Sequence, residues 1–291
     1  MPDISRMAVL VIAALAACAA RAQDTRDTAV LPPAQSAAKA KEVIRETIQA
    51  LGGPAYLGLK DATCNGRLAQ IGHNGEITGY VRFVDYRKLP DRDRTEFYYK
   101  TYINVILATV HKTNMTISVW NGDQAWAFNG AGVEELPADF VDKKKDDLRK
   151  DINNLFRNRM NDPDLNFRYG GLDMVDLKQV DWVEVADSGL YTTRIAIDHA
   201  THLPLRSILG YRNPATRERD EEVAIYSIYH SIQGVMTPFQ VSRSRNGLAQ
   251  FQMFVEDCKF NTGLNDSLFT RESLEQRAGQ SNKGKKAKKD N

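Results

Sequence analysis

Asp198, His199 and His202 fall within six residues of one another, in Ile197-Asp-His-Ala-Thr-His-Leu-Pro204. These residue types bind zinc or move protons. A zinc site needs a third and a fourth ligand, and His73, His111 and His230 are too scattered to supply a spacing. The stretch ends in Leu-Pro between two strand-like runs, so it reads as a turn with its histidines in solvent. Asp220, Glu221 and Glu222, beside Arg217 and Arg219, are candidates for paired-carboxylate chemistry. Neighbouring residues of a strand point to opposite faces, so Glu221 and Glu222 form no working pair, and a solvated strand start is expected. The chain has no G-x-S-x-G elbow, no G-x-x-x-x-G-K and no H-E-x-x-H. It therefore offers no catalytic residue, no metal site and no cofactor motif.

What remains is aromatic. Tyr80, Phe83, Phe97, Tyr99, Trp120, Trp126 and Phe128 crowd into the stretch Glu76–Phe128. They could line a cavity for an acyl chain, or they could simply pack against helices. In the run Thr95–Val110, Phe97, Tyr99, Ile103, Val105 and Leu107 share one parity, and Tyr98, Tyr102, Ile106 and Val110 the other. A sheet that is apolar on both faces needs cover on both, or holds an apolar ligand on one. Cys64 and Cys258 are the cysteine pair of the body. They fall in the first and last long strands, where an oxidising compartment permits a disulfide.

These residues need a frame. The chain has 291 residues and is 42% apolar, enough for one large β-rich domain. Residues 1–22 read as an export leader: Arg6, the apolar run Met7–Ala17, then small residues. Two cleavage readings stand. Ala20-Arg21-Ala22 would leave Gln23 first, whereas Leu15-Ala-Ala-Cys18 has the form of a lipobox that would make Cys18 a lipid anchor. Residues 23–36, with Pro32-Pro33, read as a linker. The net charge is +2, but the five Lys and one Asp of 279–291 carry +4, leaving −2 on the rest. That balance excludes a nucleic-acid surface of the usual basic kind. The tail, 276–291, reads as disordered and basic, and no apolar run after the leader is long enough to cross a membrane as a helix.

Between linker and tail, a single domain over 37–275 is expected. Ala38–Leu51 has apolar residues at helical spacing, with Ser36 as cap and Gly52-Gly53-Pro54 as stop. Asp61–Ile71 begins a long β block. Ala138–Met160 is a helical insert, whole or broken near Lys143–Asp147. After Pro163 come strands at Phe167–Gly170, Val175–Ala186, Leu190–Asp198, Leu203–Arg212, Glu221–His230, Thr237–Arg245 and Leu248–Phe260, joined by short turns. Short links mean antiparallel neighbours. The fold class expected is α+β, mainly antiparallel: an unclosed β-barrel, or strongly curved sheet, with an N-terminal helix and a mid-chain helical insert covering its concave face.

The order of elements resembles the LolA/LolB-type lipoprotein carriers and the wider outer membrane lipoprotein-sorting proteins. The resemblance rests on the helix ending in Leu51-Gly-Gly53, the aromatic second and third strands, and the turn Ile197–Pro204. Glu221-Glu-Val-Ala-Ile-Tyr226, Gly234-Val-Met-Thr-Pro238 and Asn265–Phe269 add to it, and together these span about residues 36–270. It implies an open barrel with an acyl-chain cavity lidded by the insert, a periplasmic non-enzyme, monomeric, with lipid or lipoprotein acyl chains as partners. Contact with a membrane surface or envelope proteins follows from the same reading. A sensory or scaffold module that grips a protein partner is the alternative. An envelope hydrolase is a third reading, which the missing motifs disfavour.

Overall fold

Strand-like runs joined by short turns pair with their sequence neighbours, because a two-residue link can only reverse the chain. The computed structural model, which describes residues 31–72, 74–105, 108–188, 191–213 and 216–287, follows this rule everywhere but once. Side chains of 100–113 and 280–287 are not described, and the leader, Cys18 and most of the linker lie outside the described residues.

The first half of the sheet is β1 (Asp61–Ile71), β2 (Ile77–Lys88), β3 (Arg92–Val105), β4 (Ala108–Asn121), β5 (Gln124–Phe128) and β6 (Val133–Glu135). The second half is β7 (Leu165–Val175), β8 (Lys178–Asp187), β9 (Tyr191–Asp198), β10 (Pro204–Arg212), β11 (Arg219–Ile232), β12 (Val235–Arg245) and β13 (Leu248–Phe260). Together they make one 13-stranded antiparallel sheet, ordered 6-5-4-3-2-1-13-12-11-10-9-8-7. Only β1 and β13 pair without being neighbours in sequence. The sheet is curved and unclosed, and its two free edges are β6 and β7.

Cα partners in an antiparallel register share a face. Trp120, Asp93, Arg87, Ala62 and Phe260 are partners in turn across β4, β3, β2, β1 and β13. Phe260 belongs to the main core, so this row defines the inner face. The first helix, α1 (Pro33–Ala50), covers the far half of that face. Its Ala40, Val43, Ile44 and Ile48 recur at helical spacing and pack with Val183, Ile195 and Ile197. Each such side chain, fully buried, contributes roughly 1.5–3 kcal/mol. The helix begins at Pro33, where a missing N–H costs nothing. Ser36 is therefore not its cap. Instead Ser36 Oγ accepts from Tyr169 N of β7 at 2.9 Å. The helix ends at Ala50, one residue before the expected Leu51, and a Cβ on Gly52 would lie 2.3 Å from Gly234 O, so only glycine lets the turn approach β12 this closely. A short helix, α2 (Pro54–Leu57), follows.

The insert connects one free edge to the other, and must therefore cross the inner face. It breaks just after the charge run. Helix α3 (Ala138–Lys150) ends at Asp151, whose side chain accepts from Asn154 N and starts α4 (Ile152–Asn154). A π-helical turn, Leu155–Arg159, continues it and buries Leu155 and Phe156 in the main core.

The outer face has its own cover. Ile117, Val119, Trp126 and Phe128 pack with Phe269 of a 3₁₀ turn and Leu274 of α5 (Arg271–Ala287). That helix runs on through much of the stretch read above as a disordered tail. A buried ion pair locks it in place: Arg94 Nη2 lies 2.8 Å from Glu96 Oε1, and Arg94 Nη1 donates to Leu268 O and Ser273 Oγ.

Two local expectations are corrected. Asp220 is not solvated; it is buried and accepts from Arg245, Asn213 and Asn246, which holds its carboxyl down at about 2, the Arg245 bond being the largest cause. The run Val175–Ala186 is not one strand. Its chain reverses at Asp176 (φ 49°) and Leu177 (φ 64°), a two-residue hairpin turn with both centres left-handed.

Candidate functional site

The seven aromatic residues divide between the faces. Phe83 and Phe97 are register partners on the inner face, Tyr99 follows two residues along, and Trp120 joins them through Asp93. Tyr80, Trp126 and Phe128 lie outside. Tyr80 is 52% exposed, near Phe254 and Arg67, and the other two sit in the core beneath α5. The inner four do not fill their surroundings equally. Phe83 is 4% exposed, while Phe97 and Tyr99 stay partly open. The same inner face carries Leu68, Val81, Met253 and Phe251, placed together by the pairs Leu68–Val81, Leu68–Met253 and Arg243–Phe251. Of these only Val81 is buried; the other three are partly open.

This apolar stripe ends in charge. Arg87 Nε lies 2.9 Å from Asp85 Oδ2 and 3.8 Å from Asp93 Oδ2. Thr95 Oγ1 donates within reach of both carboxylates, at 2.9 and 3.1 Å. Burial, and next to it the Asp93 charge, pushes the Asp85 carboxyl up against the opposing pull of Arg87. Asp85 in turn raises the Arg87 guanidinium. Arg87 is on the inner face, and its side chain keeps 56% of its surface open. Arg243, further along, is also exposed on this face and stands over the Phe251 ring at 5.5 Å. Open arginine side chains on the helix-covered face mean that the helices do not fill this part of the hollow.

Helix α3 crosses here. Of its 13 residues only Val141 is buried, against Trp120 and Ala125. Phe140 and Leu148, partly buried, pack against the same cluster, and ion pairs add to the hold. Lys144 Nζ is 3.7 Å from Asp93, Lys145 is 2.5 Å from Asp123, and Arg149 is 2.5 Å from Asp187. Asp147 faces Lys143, Lys150, Arg243 and Glu222; burial is the main cause of its raised carboxyl. Beyond it, a cavity of about 20 Å³, room for one water, lies between Arg149, Leu155, Leu165 and Tyr191. Under α1 the face is packed with side chains; under α3 it is held shut more lightly.

Sequence reasoning missed the charged half of the site. The signal was present in parity: Val81, Phe83, Asp85 and Arg87 alternate along one strand and must share a face. The histidines stay apart from it. His199 Nδ1 lies 2.7 Å from buried Asp181, which also accepts from Tyr169 at 2.7 Å, while His202 lies 3.7 Å from Glu46. No group of metal-ligating side chains occurs among the described residues. Cys64 and Cys258 are register partners, Cα–Cα 4.1 Å, and are bridged.

No family model matches the chain, and no curated protein matches it by sequence. Solved structures do. A DUF1329 family protein from Desulfovibrio piger aligns over 82% of this chain and 99% of its own, with a TM-score of 0.55 and 17% identity. A domain from Vibrio parahaemolyticus assigned to the outer membrane lipoprotein-sorting proteins covers 82% and 99%, with a TM-score of 0.50 and 12% identity. The chain has the fold of these two proteins. A LolA superfamily protein from Nitrosomonas europaea covers 80% and 98% at 12% identity, but its TM-score of 0.49 is too low to carry weight. At these identities the likeness extends to the fold, not the ligand. Among the described residues no helix is long and apolar enough to cross a membrane.

Proposed function

We propose that this chain is an exported, non-enzymatic binder of lipid or lipoprotein acyl chains in the bacterial envelope, which holds or carries them between membranes as a monomer. The observation that carries the reading is the inner stripe of Phe97, Tyr99, Leu68, Met253 and Phe251, left partly open on the face that α3 crosses. Each CH₂ placed there would contribute about 0.8 kcal/mol, to be set against the contacts of Val141, Phe140 and Leu148 that lifting α3 would loosen. Movement of α3 would widen access to the stripe. Arg87 and Arg243 border the stripe and suit a polar or anionic end of the ligand.

Delipidated protein titrated with a fluorescent fatty acid, and separately with a lipopeptide, tests this. Saturable binding that quenches or shifts Trp120 supports it. Absence of saturable binding to either probe, together with no lipid in the untreated protein by mass spectrometry, overturns it.

A further inference from the structure

Two arginines reach the open part of the inner face, and they differ in what holds them. Arg87 lies beside Asp85 and Asp93, so two carboxylates meet its charge. Arg243 is exposed and makes no ion pair among the described residues; its guanidinium stands over the Phe251 ring. Ile195, Ser207, Ala224, Arg243 and Phe251 are partners in turn across β9, β10, β11, β12 and β13. The guanidinium therefore has a methyl and then a hydroxyl on one side of it and an aromatic ring on the other. Ser207 Oγ and Tyr226 Oη are 3.0 Å apart. Two hydroxyls carry two protons and share one bond, so one O–H is left to donate. Burial raises the Tyr226 phenol, while the Ser207 bond and the Arg243 charge pull it down, so Arg243 is within electrostatic reach of that hydroxyl. A guanidinium and a spare hydroxyl donor at the end of an apolar stripe suit an oxyanion.

We infer, resting on the carrier reading, that the preferred guest is an anionic amphiphile, an acyl chain ending in a carboxylate or a phosphate monoester, with its head at Arg243 and its tail running across β13, β1 and β2 to β3. The path is apolar throughout: Phe251 and Met253 on β13, Leu68 on β1, Val81 on β2 and Tyr99 on β3. Four steps between strands of about 4.8 Å make roughly 19 Å, against roughly 15 Å for one lipid chain, half of a bilayer's hydrocarbon core. The charges around Arg243 favour the same guest. Asp147 of α3 interacts with Arg243 alongside Lys143, Lys150 and Glu222. Lys150 pairs with Asp146, and Glu222 accepts from the Tyr211 hydroxyl at 2.8 Å. Asp147 belongs to the insert and Arg243 to the sheet, so movement of α3 takes the carboxylate away and leaves the cation. The acyl groups of a lipoprotein end in an ester or amide and bring no charge to replace it; a free anionic lipid does.

Delipidated protein is titrated with a fatty acid carrying pyrene at its tail end, with the methyl ester of that acid, and with the monoalkyl phosphate of the same labelled chain. The acid, the phosphate or both are expected to bind at least about tenfold more tightly than the ester, and the tighter of the two names the head. Arg243→Gln brings that ratio close to one, Arg243→Lys keeps part of it, and Asp147→Asn widens it by removing the competing carboxylate. Arg67→Gln, on the outer face, leaves the ratio as in wild type. Because Arg243 is exposed, its Gln variant melts at the wild-type temperature. Equal binding of the ester and both anions by wild type overturns the inference and leaves the carrier reading standing. So does a ratio that Arg243→Gln does not move. Absence of saturable binding by all three probes overturns the carrier reading itself, and this inference with it.

Discussion

Cys64 and Cys258 face each other in register across β1 and β13, at a sequence separation of 194. This is the one junction of the sheet that no hairpin closes. Everywhere else a short link holds neighbouring strands together before any packing occurs; here two half-sheets meet, and the bridge fixes their meeting point.

Reduction, or Cys258→Ser, should therefore cost stability. A loop of this length corresponds to roughly 2–5 kcal/mol on loop-entropy grounds. Urea unfolding with and without reductant is the measurement, with the midpoint expected to fall and the slope to rise as the unfolded chain, no longer cross-linked, exposes more surface. An unchanged midpoint in a protein shown by alkylation to be fully reduced would refute it.

Phe97→Ala should weaken fatty-acid binding by about tenfold, the loss of one aromatic from an apolar site, while Tyr80→Ala should leave it unchanged. Both residues are aromatic, on adjacent strands and partly or largely exposed; they differ in face. Equal effects in a fluorescence titration would remove the inner face from consideration.

The pair Arg94–Glu96 predicts asymmetry. Arg94→Met leaves Glu96 buried without its partner and should destabilise by about 3–5 kcal/mol, freeing the segment Leu264–Leu274 for proteolysis. Adding Glu96→Leu should recover much of that loss. The double-mutant cycle by chemical denaturation reads the coupling directly.

Asp220 gives a pH signature. Its folded carboxyl is held at about 2, below the unfolded 3.8. Its contribution is complete above about 4 and fades as pH falls from there towards 2. Asp220→Asn should flatten the acid limb of a melting-temperature profile in that window and leave the profile's shape near neutrality as it was.

Much of the fold was legible. Alternation marked β1 to its last residue, and the helix stop at Gly52-Gly53 was plain because only glycine suits that turn. Short links announced the meander. What sequence could not show was cross-strand partnership. Cys64 and Cys258 were placeable in the first and last long strands, but nothing in composition says those strands touch. The hairpin at Asp176-Leu177 was invisible because leucine is not a turn residue. The split of the aromatics needed register: Trp120 and Trp126 look alike as residues, yet the tight turn Asn121–Asp123 between them sends one inward and the other outward. The charged end of the site was hidden behind attention to the aromatics.

The insert joins β6 to β7, the two rims of an open shell. A flap fixed at one end swings clear at no cost to its backbone. A span fixed at both ends cannot; it must bow or lengthen. Each helical turn that melts adds about 7 Å of reach, from the difference between extended and helical rise. The gape of the shell and the helicity of its crosspiece are thus one variable: a larger guest must be met by a measurable loss of helix.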